Sequence, residues 1–295
     1  MADVKTLLVL SGGGSKGIWQ WRVFRELQPH IQFDAVVGTS VGALNGFLVA
    51  TGQHEKGDQL WTGMRQKHVY KKRKPIRLGF NFLLHKAGVR RAFLSAYDAR
   101  PLQKLIKGFV IDRDWQFKMP LNTSRVDLRT GGVSYKTNQG KDVWRDMYAS
   151  SAMPMIFQPL EYDGGLWVDG GVRDITPLGW GIKQYRETLE RIVIITTEPT
   201  THVLRQKSPR DLADVAEATI TWMLDEIFQN DLVAFDRRNQ LAREPGNKFF
   251  KEFKLDVLSP PGYLGSGLDL SKETQQSRLA GAAAFARQWV EENIK

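Results

Sequence analysis

Thr6-Leu7-Leu8-Val9-Leu10-Ser11-Gly12-Gly13-Gly14-Ser15-Lys16-Gly17 and Asp34-Ala35-Val36-Val37-Gly38-Thr39-Ser40-Val41-Gly42 share one grammar: a short apolar run, then a glycine-punctuated turn. The second turn opens onto an apolar helical stretch, Ala43-Leu44-Asn45-Gly46-Phe47-Leu48-Val49-Ala50. Strand, turn and helix in this order place both turns on adjacent strands of one parallel sheet. Alternating elements continue along the chain, with strands expected at 6–11, 34–38, 120–127, 133–137, 160–169, 191–197 and 249–257. Helices are expected at 17–27, 42–51, 57–66, 99–107, 142–151, 177–189, 211–241 and 272–293, with Asp98 and Ser271 as N-caps. Thr130-Gly131-Gly132 and Asp163-Gly164-Gly165 read as hairpin turns, so part of the sheet should be antiparallel. The fold class is therefore α/β, a three-layer sandwich around a mainly parallel central sheet. With no repeat or clean linker, residues 1–295 read as a single domain: a motif-bearing core over 6–183, completed by the strands and helices of 184–295.

The two turns have chemical meanings as well. G-x-S-x-G between a strand and a helix lifts a serine above the sheet, where Ser40 could act as a nucleophile. Gly38 and Gly42 flank it because side chains there would collide with the neighbouring strand and helix. Attack on a carbonyl creates an oxyanion that needs pre-aimed N–H donors. The run Gly12, Gly13, Gly14, Ser15, Lys16, Gly17 at a helix start exposes such donors. Gly12, Gly14 and Gly17 also satisfy the dinucleotide fingerprint G-x-G-x-x-G. The acidic residue that such a fold wants, about 20 residues on, should end the second strand. Asp34 stands before that strand instead. Ile18 and Trp19 occupy the places of the Lys and Ser/Thr of an ATP-binding loop.

A serine hydroxyl needs a base. None of the five histidines, His30, His54, His68, His85 and His202, falls in a motif. His202 follows the apolar run Ile192–Ile195 and could complete a Ser-Asp-His order. Asp169, in Leu166-Trp167-Val168-Asp169-Gly170-Gly171-Val172, is the stronger candidate: it ends an apolar strand, and the two glycines after it permit a sharp turn. Asp-Gly is also the commonest of plain turns, so the dipeptide alone does not decide between the readings.

GGGSKG, GTSVG and the later DGG, in this order, resemble the patatin-like phospholipases. Gly42-Ala43-Leu44-Asn45 and Ala149-Ser150-Ser151-Ala152-Met153-Pro154, with Phe157 and Pro159, extend the resemblance, which is clearest from Leu7 to Pro177. It implies a patatin-like fold and a lipid acyl hydrolase of the phospholipase A or lysophospholipase type, working through an acyl-serine intermediate. By motif position Ser40 is then the nucleophile and Asp169 its base, with no histidine. The N–H groups around Gly13 and Gly14 form the oxyanion hole, and Lys16 supplies a nearby cation or is a surface lysine at the helix start. No metal or other cofactor is implied. Asp has an ordinary pKa of about 3.9, so an apolar surround, offered by Met155, Phe157, Trp167 and Val168, would have to raise it. Where the family often carries Asn two residues before a proline, this chain has Ile175 before Thr176-Pro177.

The charge distribution is uneven. The net charge is +10, and from Gln59 to Tyr97 there are ten Lys and Arg residues and no acid. Lys71, Lys72, Arg73, Lys74 and Arg77 lie close to Phe80 and Phe82, a composition suited either to a solvated loop or to contact with an anionic membrane. No nucleic-acid motif accompanies these charges, so the expected partners are a phospholipid or lysophospholipid substrate and an anionic membrane surface. A nucleotide- or polyanion-binding protein is the alternative from another class, as a Ser-Asp-His esterase of another fold is among enzymes. The chain has no Cys, which excludes disulfides and thiolate metal sites. No stretch reads as a signal peptide or membrane span, so a cytoplasmic place is expected, peripheral at a membrane; signal-independent export would leave the same sequence.

Overall fold

The structure is a computed structural model that describes residues 3–73, 83–84, 86–88, 95–111, 115–137, 142–200, 212–247 and 250–294. Lys74, Arg77, Phe80, Phe82 and His202 lie outside the described residues. The strands are β1 (Thr6–Leu10), β2 (Ala35–Gly38), β3 (Lys71–Lys72), β4 (Tyr97–Asp98), β5 (Leu121–Asp127), β6 (Val133–Thr137), β7 (Leu160–Tyr162), β8 (Gly165–Asp169), β9 (Arg191–Ile195) and β10 (Lys254–Leu258). The main sheet runs β10-β9-β1-β2-β5-β8-β7, with β6 on β5; β3 and β4 make a separate two-stranded ribbon. Pairs from β10 to β5 are parallel, while β5–β6, β5–β8 and β7–β8 are antiparallel.

The apolar runs of β1, β2 and β9 are continuous because helices cover both faces of the sheet. Leu8, Leu10, Val36, Val193 and Ile195 face one layer, with Ile18, Phe47, Trp61, Ile106, Met147 and Ala282. Leu7, Val9, Val37, Ile192 and Ile194 face the other, which holds Leu178 and Ile182 of the helix Leu178–Tyr185 and Phe228 and Phe235 of the helix Leu212–Arg243. This is the three-layer α/β sandwich expected, and both glycine hairpin turns form where they were read. No helix among the described residues is long and apolar enough to cross a membrane.

One feature of the sheet positions the site. A strand has two edges, and β6 occupies one edge of β5. The other edge is shared: β2 pairs with Leu121 to Thr123, and β8 with Arg125 to Asp127. Because β2 runs parallel to β5 and β8 antiparallel to it, their C-terminal ends point at each other across Ser124. Ser40 lies just beyond the end of β2, and Asp169 is the last residue of β8.

Candidate active site

Ser40 connects β2 to the helix Val41–Ala50 with φ 56° and ψ −124°, a left-handed turn that costs a non-glycine residue about 1–3 kcal/mol. Its surroundings hold it there. A Cβ on Gly38 would lie 2.3 Å from the Gly42 carbonyl oxygen, and one on Gly42 2.2 Å from the Leu10 carbonyl oxygen. Glycine at both positions therefore lets the helix start sit directly on the sheet. The Ser40 N–H donates to Ser150 Oγ at 3.0 Å, so the Ala-Ser-Ser patch fastens the strained peptide. Thr39 Oγ1 meets Ser124 Oγ at 2.6 Å and donates to the Asp174 carbonyl at 2.9 Å.

Asp169 is buried, and its Oδ1 accepts the Gly171 N–H at 2.8 Å. Gly170 follows it tightly against β5, for a Cβ there would lie 2.0 Å from Ser124 Oγ. Oδ2 is buried without a hydrogen bond of regular geometry. Burial pushes the carboxyl up to about 7, against the opposing effects of the Gly171 N–H and of the Ser40 hydroxyl, which faces it. Trp167, Val168 and Phe157 are buried as the apolar surround requires, but Met155 is 59% exposed and takes no part in it. Ile175 contributes instead: its Cδ1 would lie 2.4 Å from a Cβ on Gly12 and 2.7 Å from one on Gly171.

The glycine loop approaches from the neighbouring strand, and a Cβ on Gly12 would lie 3.1 Å from Ser40 Cβ. Its N–H groups divide into two sets. Gly12 donates to Ile175 O at 3.0 Å, Ser15 to Gly267 O at 2.7 Å and Lys16 to Gly13 O at 3.3 Å. The N–H groups of Gly13 and Gly14 have no acceptor among the described residues. Both residues have positive φ, 151° and 59°, and a Cβ on either would collide, with Thr197 or with the Gly267 carbonyl. Gly17 closes the loop, its N–H turned back onto Gly14 and Ser15. Lys16 is buried and ion-paired with Glu198, not a surface lysine.

Residues with no motif of their own hold this loop. Gln20 Nε2 donates to the carbonyls of Ser11 at 3.1 Å and Ile195 at 2.8 Å, and Asn45 Nδ2 donates to Gly17 O at 2.9 Å. Arg278, from the helix Lys272–Asn293, is buried and donates to Ser15 Oγ at 2.8 Å, to Leu264 O at 2.8 Å and to Ser266 O at 2.9 Å. Asn45 was visible in the sequence because it follows the serine turn. Arg278 gave no signal, being one basic residue in a polar helix.

Two cavities meet at Ser40. The first, about 830 Å³ with its open mouth, is walled by apolar side chains such as Val41, Leu44, Leu48, Leu102, Ile106 and Phe109. The second, about 940 Å³, runs past Gly12, Gly13 and Ile175 and carries Lys16, Glu198 and Asp225 beside Leu224 and Phe228. None of the described histidines lines either cavity. Lys71 and Lys72 are exposed on β3, and Arg73 donates to Ser95 Oγ at 3.3 Å. Ala96 and Tyr97 donate to the carbonyls of Met155 at 2.7 Å and Ile156 at 3.1 Å. The basic ribbon thus stands beside the loop whose Met153, Ile156 and Phe157 line the second cavity.

"Lysophospholipase NTE1" of Debaryomyces hansenii is 27% identical over 275 residues, covering 90% of this chain and 15% of that protein. The protein of the same name from Meyerozyma guilliermondii is 27% identical over 172 residues, 58% of this chain and 11% of that one. The chain therefore spans a small part of the curated relatives it matches. Among solved structures, VipD from Legionella pneumophila aligns with 98% of this chain and 67% of its own at 15% identity and a TM-score of 0.48. The family model described as patatin-like phospholipase matches residues 8–179, from β1 into the helix after Asp169, and the chain belongs to that family.

Proposed function

We propose that this chain is a lipid acyl hydrolase that cleaves fatty-acyl esters of phospholipids or lysophospholipids through an acyl-Ser40 intermediate. The observation that carries the reading is the meeting at Ser40 of a strained backbone, a buried carboxyl and an apolar cavity. Ser40 Oγ attacks the ester carbonyl while Asp169 takes its proton; a pKa near 7 suits a group that must first accept a proton and then return it. The carbonyl oxygen becomes an oxyanion and receives the N–H groups of Gly13 and Gly14, which have no competing acceptor among the described residues. Collapse of the tetrahedral species breaks the C–O bond, and Asp169 protonates the departing alcohol. Water, deprotonated by the same carboxylate, then releases the fatty acid and restores Ser40. The acyl chain occupies the apolar cavity.

The substrate of such an enzyme resides in a membrane, and Lys71 and Lys72, exposed on the ribbon beside the loop that lines the second cavity, favour an anionic surface. Product analysis with defined phospholipids tests the chemistry. Wild type should release fatty acid and a lysolipid or glycerophosphodiester, while Ser40→Ala and Asp169→Asn remain folded and release none. Full activity in Asp169→Asn would remove the Ser-Asp dyad.

A further inference from the structure

The apolar cavity at Ser40 is a slot whose walls are helix faces. One wall takes Val41, Leu44, Asn45 and Leu48 from the helix Val41–Ala50, the i, i+3, i+4, i+7 stripe that runs along one face. Another takes Leu102, Leu105, Ile106 and Phe109 from the helix Arg100–Ile111, with the same spacing. Among the described residues no charged side chain lines the slot. Asn45 turns its amide to protein partners: Nδ2 donates to Gly17 O at 2.9 Å and Gln20 Oε1 at 3.0 Å, and Oδ1 accepts from Trp61 Nε1 at 2.9 Å. These bonds tie the first helix to its neighbours, so its wall is stiff. The end away from Ser40 is closed. Residues 115–118 cross the C-terminal end of the helix Val41–Ala50, where Lys118 N–H donates to Ala50 O at 2.7 Å. The rings of Trp115 and Phe117 stand edge-on to the buried Phe47, with centroids 4.9 and 6.0 Å away. Trp115 Nε1 also donates to Val110 O at 3.0 Å, one residue beyond Phe109. Both helices therefore end against one aromatic layer.

We propose that this slot is a ruler for acyl chains of about eight to ten carbons, with Phe109 at its floor as the specificity-determining residue. The assignment rests on the hydrolase reading above and adds the acyl-chain class to it. Depth follows from the helix that starts at the nucleophile. From Ser40 to Leu48, the last wall residue of that helix, a rise of about 1.5 Å per residue gives about 12 Å. An extended hydrocarbon built from bonds of about 1.5 Å advances about 1.3 Å per carbon, so about nine carbons fill that length. Each methylene that reaches the apolar wall should raise kcat/KM about fourfold. The chain enters tail first, so a longer tail meets the aromatic layer while its carbonyl is still short of Ser40. A misplacement of about 1 Å at the reacting carbon costs about 100-fold, which makes the limit sharp.

The test is a series of p-nitrophenyl esters from butyryl to hexadecanoyl, each diluted in the same excess of neutral detergent. In wild type kcat/KM should peak at octanoyl or decanoyl and fall at least about tenfold by hexadecanoyl. Phe109→Ala removes a half-buried ring from the floor. It should raise the hexadecanoyl-to-decanoyl ratio at least about tenfold over wild type, a comparison in which partition into detergent cancels. Leu44→Phe obstructs the slot one turn beyond Ser40 and should move the peak to hexanoyl or shorter. It adds bulk to existing space, so it decides the matter should Phe109→Ala not fold. A wild-type rate that does not fall by hexadecanoyl, or a profile that neither substitution moves, overturns the ruler while leaving the hydrolase reading intact. Failure of wild type on every ester of the series overturns the hydrolase reading instead.

Discussion

Asp169→Asn should inactivate the protein and make it more stable at pH 8. Burial holds the Asp169 carboxyl at about 7, whereas in the unfolded chain it titrates near its ordinary 3.8. The folded state therefore binds this proton more tightly. Its contribution to stability is complete below about pH 3.8 and is lost progressively as pH rises through about 7. Each tenfold step in acidity is about 1.4 kcal/mol, so the full span is about 4 kcal/mol, an upper bound because relaxation around the carboxylate reduces it. Asparagine keeps the oxygen that accepts the Gly171 N–H and carries no charge, so it escapes the penalty. Asp174, buried behind Thr39 and bonded by the Tyr135 hydroxyl, is also held up to about 7. It contributes the same slope to both proteins and cancels in their difference. Urea unfolding of wild type and Asp169→Asn at pH 4.5, 6 and 8 measures that difference directly. It should be small at the lowest pH and reach about 2–4 kcal/mol at the highest, the gain in stability accompanying the loss of hydrolysis. A variant as stable as wild type at every pH, or less stable at pH 8, would refute the uncompensated burial on which the base assignment depends.

Hydrolysis of an uncharged ester should rise with pH through a single ionisation near 7, since only the ionised Asp169 can accept the Ser40 proton; a flat profile between pH 5 and 9 would count against it. Ser40→Gly should be inactive and about 1 kcal/mol more stable, because relief of φ 56° outweighs the added chain entropy of glycine, as thermal unfolding would show. Arg278→Met leaves the Leu264 carbonyl without its donor, takes one from Ser15 Oγ, leaves the Ser266 carbonyl only the Ser15 hydroxyl, and should cost about 2–4 kcal/mol on chemical denaturation, with slower turnover from a loosened glycine loop. Replacing Lys71 and Lys72 together by Gln should weaken binding to anionic vesicles about 30-fold at low salt, from about 1 kcal/mol for each cation; flotation reads it, and no change would place the binding surface elsewhere.

The parts of this site that sequence made legible are local, and the parts that it hid are relations between distant segments. The serine turn shows itself because strand, glycine, serine and glycine are neighbours in the chain, and a left-handed serine between two close backbone approaches needs that spacing. The glycine loop is legible for the same reason. Asp169 is different. A strand-end Asp-Gly-Gly could have turned anywhere, and only the resemblance to a family put it beside Ser40. What brings them together is the divided edge of β5, where β2 and β8 arrive from opposite directions, and pairing register leaves little trace in one sequence. The basic run shows the converse limit: composition declared the charge of Lys71 and Lys72, while the backbone bonds of Ala96 and Tyr97 to Met155 and Ile156 put the ribbon that carries it beside the loop lining the second cavity. The last strand shows how a side chain overrides a propensity. It was expected from 249 but begins at Lys254, because Asn239 takes the Phe253 carbonyl at 2.9 Å and N–H at 3.3 Å and so withdraws that residue from the sheet. Lys16 and Arg278 show the same limit, since charged residues in polar surroundings read as surface. Their burial follows from the loops that close over them, so the side chains that tune this site are the ones a sequence pattern is least able to single out.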